Sequence, residues 1–159
     1  MKITLVTVGK IKENFFEDAI KEYVKRLGRY CKLEVVQVAD EKTPDGASEG
    51  MGRQIKEREG KRILSHIKDG AYVMALAIEG EMLSSEELAA KIQKLGVDGI
   101  SQIVFVIGGS LGLSDEVMKR ADHALSFSRM TFPHQLMRVI LLEQIYRSWK
   151  IAAGEPYHK

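Results

Sequence analysis

Residues 102–112 read QIVFVIGGSLG, an unbroken apolar run followed at once by a loop rich in glycine. A run without polar alternation is typical of a strand that is buried on both faces of a sheet. Residues 72–78 (YVMALAI) have the same character, and the shorter runs at 3–8 and 33–39 also predict strands. A sheet of such strands needs helices on both of its faces.

Segments with helical spacing separate these apolar runs. We predict helices at 13–27 and 48–68, helices that begin at Ser84 and Ser114, a short strand at 123–127 and a last helix from about 133 to 150. This alternation predicts the α/β fold class, with a mostly parallel sheet covered by helices on both faces. A chain of 159 residues fits a single domain spanning residues 1–159.

The composition is that of an ordinary globular protein with a small basic excess. There are 24 Lys and Arg against 22 Asp and Glu, a net charge of +2, which permits a nucleic-acid partner without indicating one strongly. No apolar run approaches the roughly 18 residues of a membrane span, and the amino-terminal run is too short for a signal peptide. The only cysteine, Cys31, is expected to be a small, half-buried apolar residue. We therefore expect a cytoplasmic protein.

Three predicted strands end in loops of glycine or small polar residues, at 78–80, 108–112 and 126–133. The carboxyl ends of parallel strands are where open α/β sheets bind ligands, so these loops can line one pocket. The glycine loop has neither phosphate-binding fingerprint, and no lysine or arginine lies between 108 and 114. A cofactor without phosphate, such as the cationic S-adenosylmethionine, therefore fits better. The alternative is that the glycines only end a strand.

The last predicted helix begins at Pro133-His134 and is apolar nearly all round. Such a helix is buried on two sides, which predicts a homodimer or, alternatively, a helix deep in a monomer core. His134 is expected to stay neutral, as suits a base. Arg138, one turn later, can hold a phosphate or be a solvated side chain. Glu143 and Arg147 have the spacing of an intrahelical ion pair.

The carboxyl-terminal segment ends in Tyr157, His158 and Lys159. An aromatic ring, an imidazole and a cation in succession can stack on a base, bond to it and contact a phosphate. Short tails of this kind are also commonly frayed. The residues alone leave both interpretations open.

Three blocks of the chain resemble a known family: FVIGGSLG at 105–112, LSFSRMTFPH at 125–134, and EQIYR at 143–147 continuing to GEPYHK at 154–159. They are similar to the SPOUT-class ribosomal RNA large-subunit methyltransferase H family, which methylates N3 of a pseudouridine. The resemblance runs from the first strand to the last residue. It implies a carboxyl-terminal trefoil knot, a homodimer, and recognition of large-subunit ribosomal RNA in the assembled ribosome without a separate RNA-binding domain. It also implies S-adenosylmethionine contacts at Leu76, Gly108, Phe127, Ser128, Arg129, Met130, Thr131 and Phe132.

The expected reaction is direct methyl transfer from the sulfonium to a ring nitrogen, with no metal and no covalent nucleophile. We expect His134, Tyr157 and His158 to position and deprotonate the base, and Arg138, Arg147 and Lys159 to hold the RNA backbone. Whether the tail serves its own subunit or the partner is left open. Competing hypotheses are a non-catalytic ribosome-binding factor, a flavodoxin-like nucleotide or flavin enzyme, and the same chemistry on a different RNA nucleotide.

Overall fold

Five strands and five helices alternate along the chain in a computed structural model that describes all residues 1–159. The strands are β1 (Lys2–Val8), β2 (Lys32–Val38), β3 (Tyr72–Met82), β4 (Gln102–Ile107) and β5 (His123–Ser126). The helices are α1 (Asn14–Leu27), α2 (Glu49–Leu64), α3 (Ser85–Val97), α4 (Asp115–Arg120) and α5 (His134–Ala152). Every predicted strand and helix is present in the predicted order.

The strands form one sheet in the order β2-β1-β4-β3-β5, and every pairing is parallel. In register, Lys2 of β1 lies opposite Lys32 on one side and Gln102 on the other. The predicted α/β class is confirmed, and the sheet is wholly rather than mostly parallel. Because all five strands run the same way, their carboxyl ends share one edge, where β4, β3 and β5 are neighbours.

Side chains alternate across the sheet, so each strand contributes to two cores. One core packs strand residues such as Leu5 and Phe105 against α1, α3 and α5, and the other packs Val6 and Val106 against α2 and α4. All four of these side chains are fully buried, and complete burial of an aliphatic or phenylalanine side chain contributes roughly 1.5–3 kcal/mol. Helices therefore cover both faces, as the continuous apolar strands predicted.

Serine side chains begin three of the helices. The hydroxyls of Ser48, Ser84 and Ser114 accept hydrogen bonds from the backbone N–H groups three residues later, at 3.1–3.3 Å. Such caps satisfy amide groups that have no partner within the helix, and each contributes about 1 kcal/mol. The predicted starts at Ser84 and Ser114 are confirmed.

Three boundaries differ from the sequence prediction. Helix α2 ends at Leu64 rather than at 68, and Pro133 precedes α5 instead of forming its first residue. Strand β3 continues to Met82 because its register on β5 shifts between Leu76 and Glu81. Gly80 permits this irregular path, since a Cβ there would lie 2.6 Å from the carbonyl oxygen of Ala124.

Cys31 is half-buried and packs against the core that contains α5. Burial raises the pKa of its thiol to about 11. The expected role as a small apolar residue fits this environment. None of the five helices combines the length and apolar character that crossing a membrane requires.

Candidate active site

A cavity of about 470 Å³ lies at the carboxyl ends of β3, β4 and β5. Its wall consists of residues from these strands and from the loops after β4 and β5, together with one residue each of α2 and α4 and two of α5. The lining residues are Lys56, Leu76–Glu79, Ile107–Leu113, Met118, Leu125, Phe127, Ser128, Met130–Phe132, His134 and Met137. The three loops that the sequence singled out thus meet at one site, hereafter the β4–β5 cavity.

The glycine loop presents backbone to this cavity. A Cβ at Gly108 would lie 2.8 Å from the carbonyl carbon of Gly112, and Gly112 itself has a φ of +89°. The N–H of Gly112 donates to the carbonyl oxygen of Gly109 at 3.1 Å, which closes the turn. Gly108 is required because backbone atoms of Gly112 lie so close to it, and Gly112 is required because of its positive φ. The peptide groups of this turn form a wall that a ligand can approach closely.

The loop after β5 is ordered by serine hydroxyls. Ser126 donates to the carbonyl oxygen of Ser128 at 3.1 Å, and the Ser128 hydroxyl accepts from the N–H of Met130 at 3.0 Å. Phe127 is half-buried, whereas Met130 is 73% exposed at the rim of the cavity. Arg129 is the one predicted cofactor contact that does not line the cavity, and its side chain is exposed.

Several residues of the cavity wall were not identified from the sequence. Lys56 reaches it from α2, and Met118 and Met137 reach it from α4 and α5. Lys56 lies in a heavily charged helix, and only the packing of α2 against the sheet brings it here. No sequence signal distinguishes it from its charged neighbours.

His134 lies at the start of α5 and lines the β4–β5 cavity. Partial burial, followed by the positive charge of Arg138, lowers the pKa of this imidazole below its usual value of 6.5. The neutral form therefore predominates at pH 7. This agrees with the expectation of a neutral histidine. Burial, rather than position at the start of the helix, is the main cause of the lowered pKa.

Arg138 lies in a different environment from the one the sequence suggested. Its side chain is 1% exposed, and Nη2 donates to the carbonyl oxygens of Val8 at 2.7 Å and Gly9 at 3.0 Å. Nε and Nη1 are buried without a hydrogen-bond partner. A guanidinium enclosed in this way does not reach solvent, so the expected RNA-backbone contact is not available to it. It instead connects α5 to the end of β1.

The tail packs on the far end of α5. The Tyr157 hydroxyl donates to Glu143 at 3.1 Å, and Arg147 contacts both Glu143, at 3.0 Å from Nε, and Nδ1 of His158, at 3.0 Å. Burial raises the pKa of Tyr157 to about 12, and the negative charge of Glu143 adds to the effect. The ion pair expected between Glu143 and Arg147 is therefore present, and the tail is anchored rather than frayed.

His134 and the tail are far apart within one subunit. Arg147, which contacts His158, lies thirteen residues along α5 from His134, or roughly 20 Å at 1.5 Å per residue. None of Tyr157, His158 and Lys159 lines the β4–β5 cavity, and Lys159 is exposed. The structure thus brings the predicted cofactor residues other than Arg129 together but does not join them to the tail of the same chain.

A second cavity of about 570 Å³ lies beside the first, at the carboxyl ends of β1 and β2. Its wall is mostly polar. The lining residues are Val8–Lys10, Lys12, Gln37–Glu41, Glu59, Gly109, Ser110, His134 and Gln135. Gly109, Ser110 and His134 belong to both cavities. We call this second space the β1–β2 cavity.

A sequence model of the family described as "Predicted SPOUT methyltransferase" matches residues 1–158. The chain belongs to the SPOUT methyltransferase family. Proteins named ribosomal RNA large subunit methyltransferase H are similar to it over 100% of both chains. Those of Bifidobacterium adolescentis, Bifidobacterium animalis subsp. lactis and Clostridium novyi are 69%, 63% and 63% identical to it.

Membership of the SPOUT family implies a methyl donor and, by the fold of that family, a knotted carboxyl-terminal region. The loops that would form the donor site are those that line the β4–β5 cavity. No group of three or more histidine, cysteine, aspartate or glutamate side chains is arranged to hold a metal ion. The resemblance noted from residues 105–112, 125–134 and 143–159 is thus confirmed at the level of the family.

Proposed function

We propose that this protein transfers a methyl group from S-adenosylmethionine to N3 of a pseudouridine in large-subunit ribosomal RNA, on assembled ribosomes in the cytoplasm. The observation that carries the proposal is the β4–β5 cavity, in which backbone from the glycine loop and a neutral His134 meet. The full-length similarity to proteins named for ribosomal RNA methylation supports the choice of substrate.

The residues of the β4–β5 cavity suit S-adenosylmethionine. Side chains such as Leu76 and Phe127 offer apolar contacts for an adenine ring, and the peptide groups around Gly108 can bond to it at short range. Lys56 and Glu79 supply one charge of each sign, which complements the carboxylate and ammonium of the methionine part. When bound, the cofactor supplies an electrophilic methyl group on its sulfonium.

His134 is the proposed base that accepts the proton of the acceptor nitrogen. N3 of pseudouridine carries a weakly acidic proton, so a neutral imidazole within reach can accept it as the methyl group arrives. Tyr157, with its pKa of about 12, stays protonated and suits hydrogen-bond donation to the nucleobase. Holding acceptor and donor in line contributes to the rate, since effective molarity supplies roughly 7–11 kcal/mol in favourable cases.

We propose that a homodimer completes the site. The tail contacts α5 at Glu143 and Arg147, nine and thirteen residues from His134, or roughly 14–20 Å along the helix, so Tyr157 and His158 are proposed to reach a nucleotide beside His134 from a partner subunit. Large apolar side chains also surround the mouth of the β4–β5 cavity. They are Ile78 (46% exposed), Leu111 (38%), Met130 (73%) and Phe132 (36%). Exposed apolar side chains grouped in this way are typical of a surface that another protein subunit covers.

Arg147 and Lys159 remain the proposed contacts to the RNA backbone. Arg147 is bound to Glu143 and His158 but keeps part of its guanidinium accessible, with a side-chain exposure of 23%. Lys159 is exposed at the end of the chain. Arg138, enclosed behind the carbonyl oxygens of Val8 and Gly9, is omitted from this role.

The pH dependence of methylation tests the role of His134. Its folded-state pKa lies below 6.5, so the neutral, active form persists to more acidic pH than it would for an exposed histidine. We expect the acid decline of kcat/KM to be centred below pH 6.5. Measurement runs from about pH 8 to about pH 5, with His134→Gln as the comparison.

In the His134→Gln variant we expect a rate about 100-fold lower and no acid decline in that range. A decline centred at or above 6.5 in the wild-type protein, or a wild-type rate in the variant, would remove His134 from the reaction. Affinity for S-adenosylmethionine, measured in parallel, separates loss of chemistry from loss of cofactor.

Calorimetry and a methylation assay test the proposed function as a whole. We expect the protein to bind S-adenosylmethionine with one site per subunit, and to transfer labelled methyl to intact ribosomes. Mass spectrometry of the digested RNA should locate the label on N3 of a pseudouridine. Ribosome binding without cofactor affinity would favour a non-catalytic factor, binding of a flavin or phosphorylated nucleotide would favour a flavodoxin-like enzyme, and label on another nucleotide would change the substrate.

A further inference from the structure

The β1–β2 cavity has no part in the function proposed so far. It lies next to the β4–β5 cavity, and Gly109, Ser110 and His134 line both cavities and form the wall between them. If the methyl donor occupies one side of this wall, the acceptor has to approach His134 from the other side. A role for the β1–β2 cavity in binding the acceptor therefore rests on the proposed function and deepens it.

Glu59 is the buried charged group of this cavity. It belongs to α2, is 4% exposed, and accepts a hydrogen bond from the backbone N–H of Glu41 at Oε2, 2.9 Å away. Oε1 has no partner in the protein and lies 3.0 Å from the position that a Cβ on Gly109 would take. Burial raises the pKa of this carboxyl group, and the negative charge of Asp40 adds to the effect.

Oε1 is not enclosed by protein, since Glu59 has no fully buried polar atom that lacks a partner, so a donor in the cavity can reach it and form a charge-assisted hydrogen bond. Arg62, on the same helix, does not line this cavity and donates to Glu41 and to the carbonyl oxygen of Ala39 instead. The vacant acceptor position of Glu59 therefore faces a cavity that a ligand with an N–H group can enter.

The open side of the same cavity carries two lysines. Lys10 and Lys12 follow β1 and are both exposed. The backbone N–H of Lys12 donates to the side chain of Gln135 at 3.2 Å, which connects this loop to the start of α5 beside His134. Cations at the mouth and a buried acceptor within are the arrangement expected for a nucleotide, with phosphate outside and base inside.

We infer that the β1–β2 cavity binds the target nucleotide, and that Oε1 of Glu59 accepts the N1–H of its pseudouridine ring. Pseudouridine has two ring N–H groups, at N1 and N3, on either side of one carbonyl. With N3 directed at His134 and the methyl donor, N1–H is the group left to contact a second acceptor. Uridine has its glycosidic bond at N1 and no hydrogen there, so it would leave Oε1 unpaired. Glu59 thus distinguishes the two nucleotides.

Glu59→Gln tests the assignment with little change in shape. The N–H of Glu41 requires the amide oxygen of the new side chain, which turns the amide NH₂, a donor, towards the cavity. Kinetics are measured on ribosomes carrying either pseudouridine or uridine at the target position. We expect wild-type kcat/KM to favour pseudouridine by about 10-fold or more, and the variant to lose most of that preference by acting more slowly on pseudouridine.

Glu57→Gln is the matched control, because it makes the same change at an exposed position two residues away on α2. It should preserve the preference. Affinity for S-adenosylmethionine should stay within about twofold in both variants, since Glu59 does not line the β4–β5 cavity. Far-UV circular dichroism and the unfolding midpoint show whether Glu59→Gln is folded.

A double substitution of the exposed lysines, Lys10→Gln with Lys12→Gln, gives a test that does not depend on the buried site. We expect KM for ribosomes to rise at least about threefold, with a weaker dependence on salt and an unchanged cofactor affinity. Lys68→Gln with Lys119→Gln, two exposed positions outside both cavities, is the control. An unchanged KM in the first variant would overturn the placement of the nucleotide.

The outcomes separate the two proposals. Methyl transfer by the wild-type protein, with equal rates on the two kinds of ribosome or an undiminished preference in Glu59→Gln, would overturn the inference alone. Absence of cofactor binding and of methyl transfer in the wild-type protein would overturn the proposed function and the inference with it.

Discussion

Removal of Tyr157, His158 and Lys159 is expected to lower the rate of methylation by about 100-fold or more. The affinity for S-adenosylmethionine should change by no more than about twofold, because none of the three residues lines the β4–β5 cavity. Fold stability should also fall, since Tyr157 is half-buried and packs edge-on against the buried Tyr146 ring at 4.9 Å, so the unfolding midpoint is measured alongside the rate. Rates on intact ribosomes and calorimetry with the cofactor provide the other two measurements.

Mixed dimers then show which subunit the tail serves. One subunit lacks residues 157–159 and keeps its cofactor cavity, whereas the other keeps its tail but carries a damaged cavity, as in Gly108→Ala. If the tail acts across the dimer, each mixed dimer has one complete site, and a random mixture recovers about a quarter of wild-type activity. No recovery above the two parent variants would place the tail's action within its own chain, against the separation of roughly 14–20 Å between His134 and the tail's contacts along α5.

Gly108→Ala is expected to weaken binding of S-adenosylmethionine by about 10-fold or more and to destabilise the fold by about 1–3 kcal/mol. The added Cβ would lie 2.8 Å from the carbonyl carbon of Gly112 and 2.9 Å from its oxygen, so backbone has to move. Movement of that turn displaces the wall of peptide groups that the cofactor contacts. Calorimetry gives the affinity, and chemical denaturation gives the free energy of unfolding.

Gly50→Ala provides the comparison for that variant. Gly50 lies in the first turn of α2, with no atom within 4 Å of an added Cβ, so the same substitution should leave cofactor affinity unchanged. Its stability should be unchanged or slightly higher, because alanine favours a helix over glycine. Equal cofactor affinity in Gly108→Ala and the wild-type protein would show that the glycine loop does not form the donor site.

The fold was predictable because the strands carry a strong local signal. Runs such as 72–78 and 102–107 are apolar on both faces, and serine caps at Ser84 and Ser114 mark helix starts, so class and element order follow from the sequence. The strand order β2-β1-β4-β3-β5 does not follow, since it depends on which apolar faces pack best in three dimensions. The course of β3 beyond Leu76 depends on a close approach of two backbones at Gly80.

The candidate site was predictable where it consists of loops next to strands. Gly108 and residues 127–132 could be placed together because parallel strands end at one edge. Arg138 and Glu59 could not be placed, because helical spacing alone does not distinguish a solvated charge from a buried one. Each is buried by an element remote in sequence, Arg138 by the end of β1 and Glu59 by the glycine loop.

The position of β1 between β2 and β4 also affects how long one edge of this strand stays unpaired during translation. Strand β1 pairs with β2 soon after both are made, but its other edge waits for β4, which begins at Gln102. At 5–20 residues per second, the intervening stretch of roughly sixty residues keeps that edge open for about 3–13 s. An unpaired apolar strand edge is a template for aggregation, so the nascent chain is expected to need a chaperone in this interval. Chains whose synthesis stops before β4 keep the unpaired edge of β1 and never gain α5.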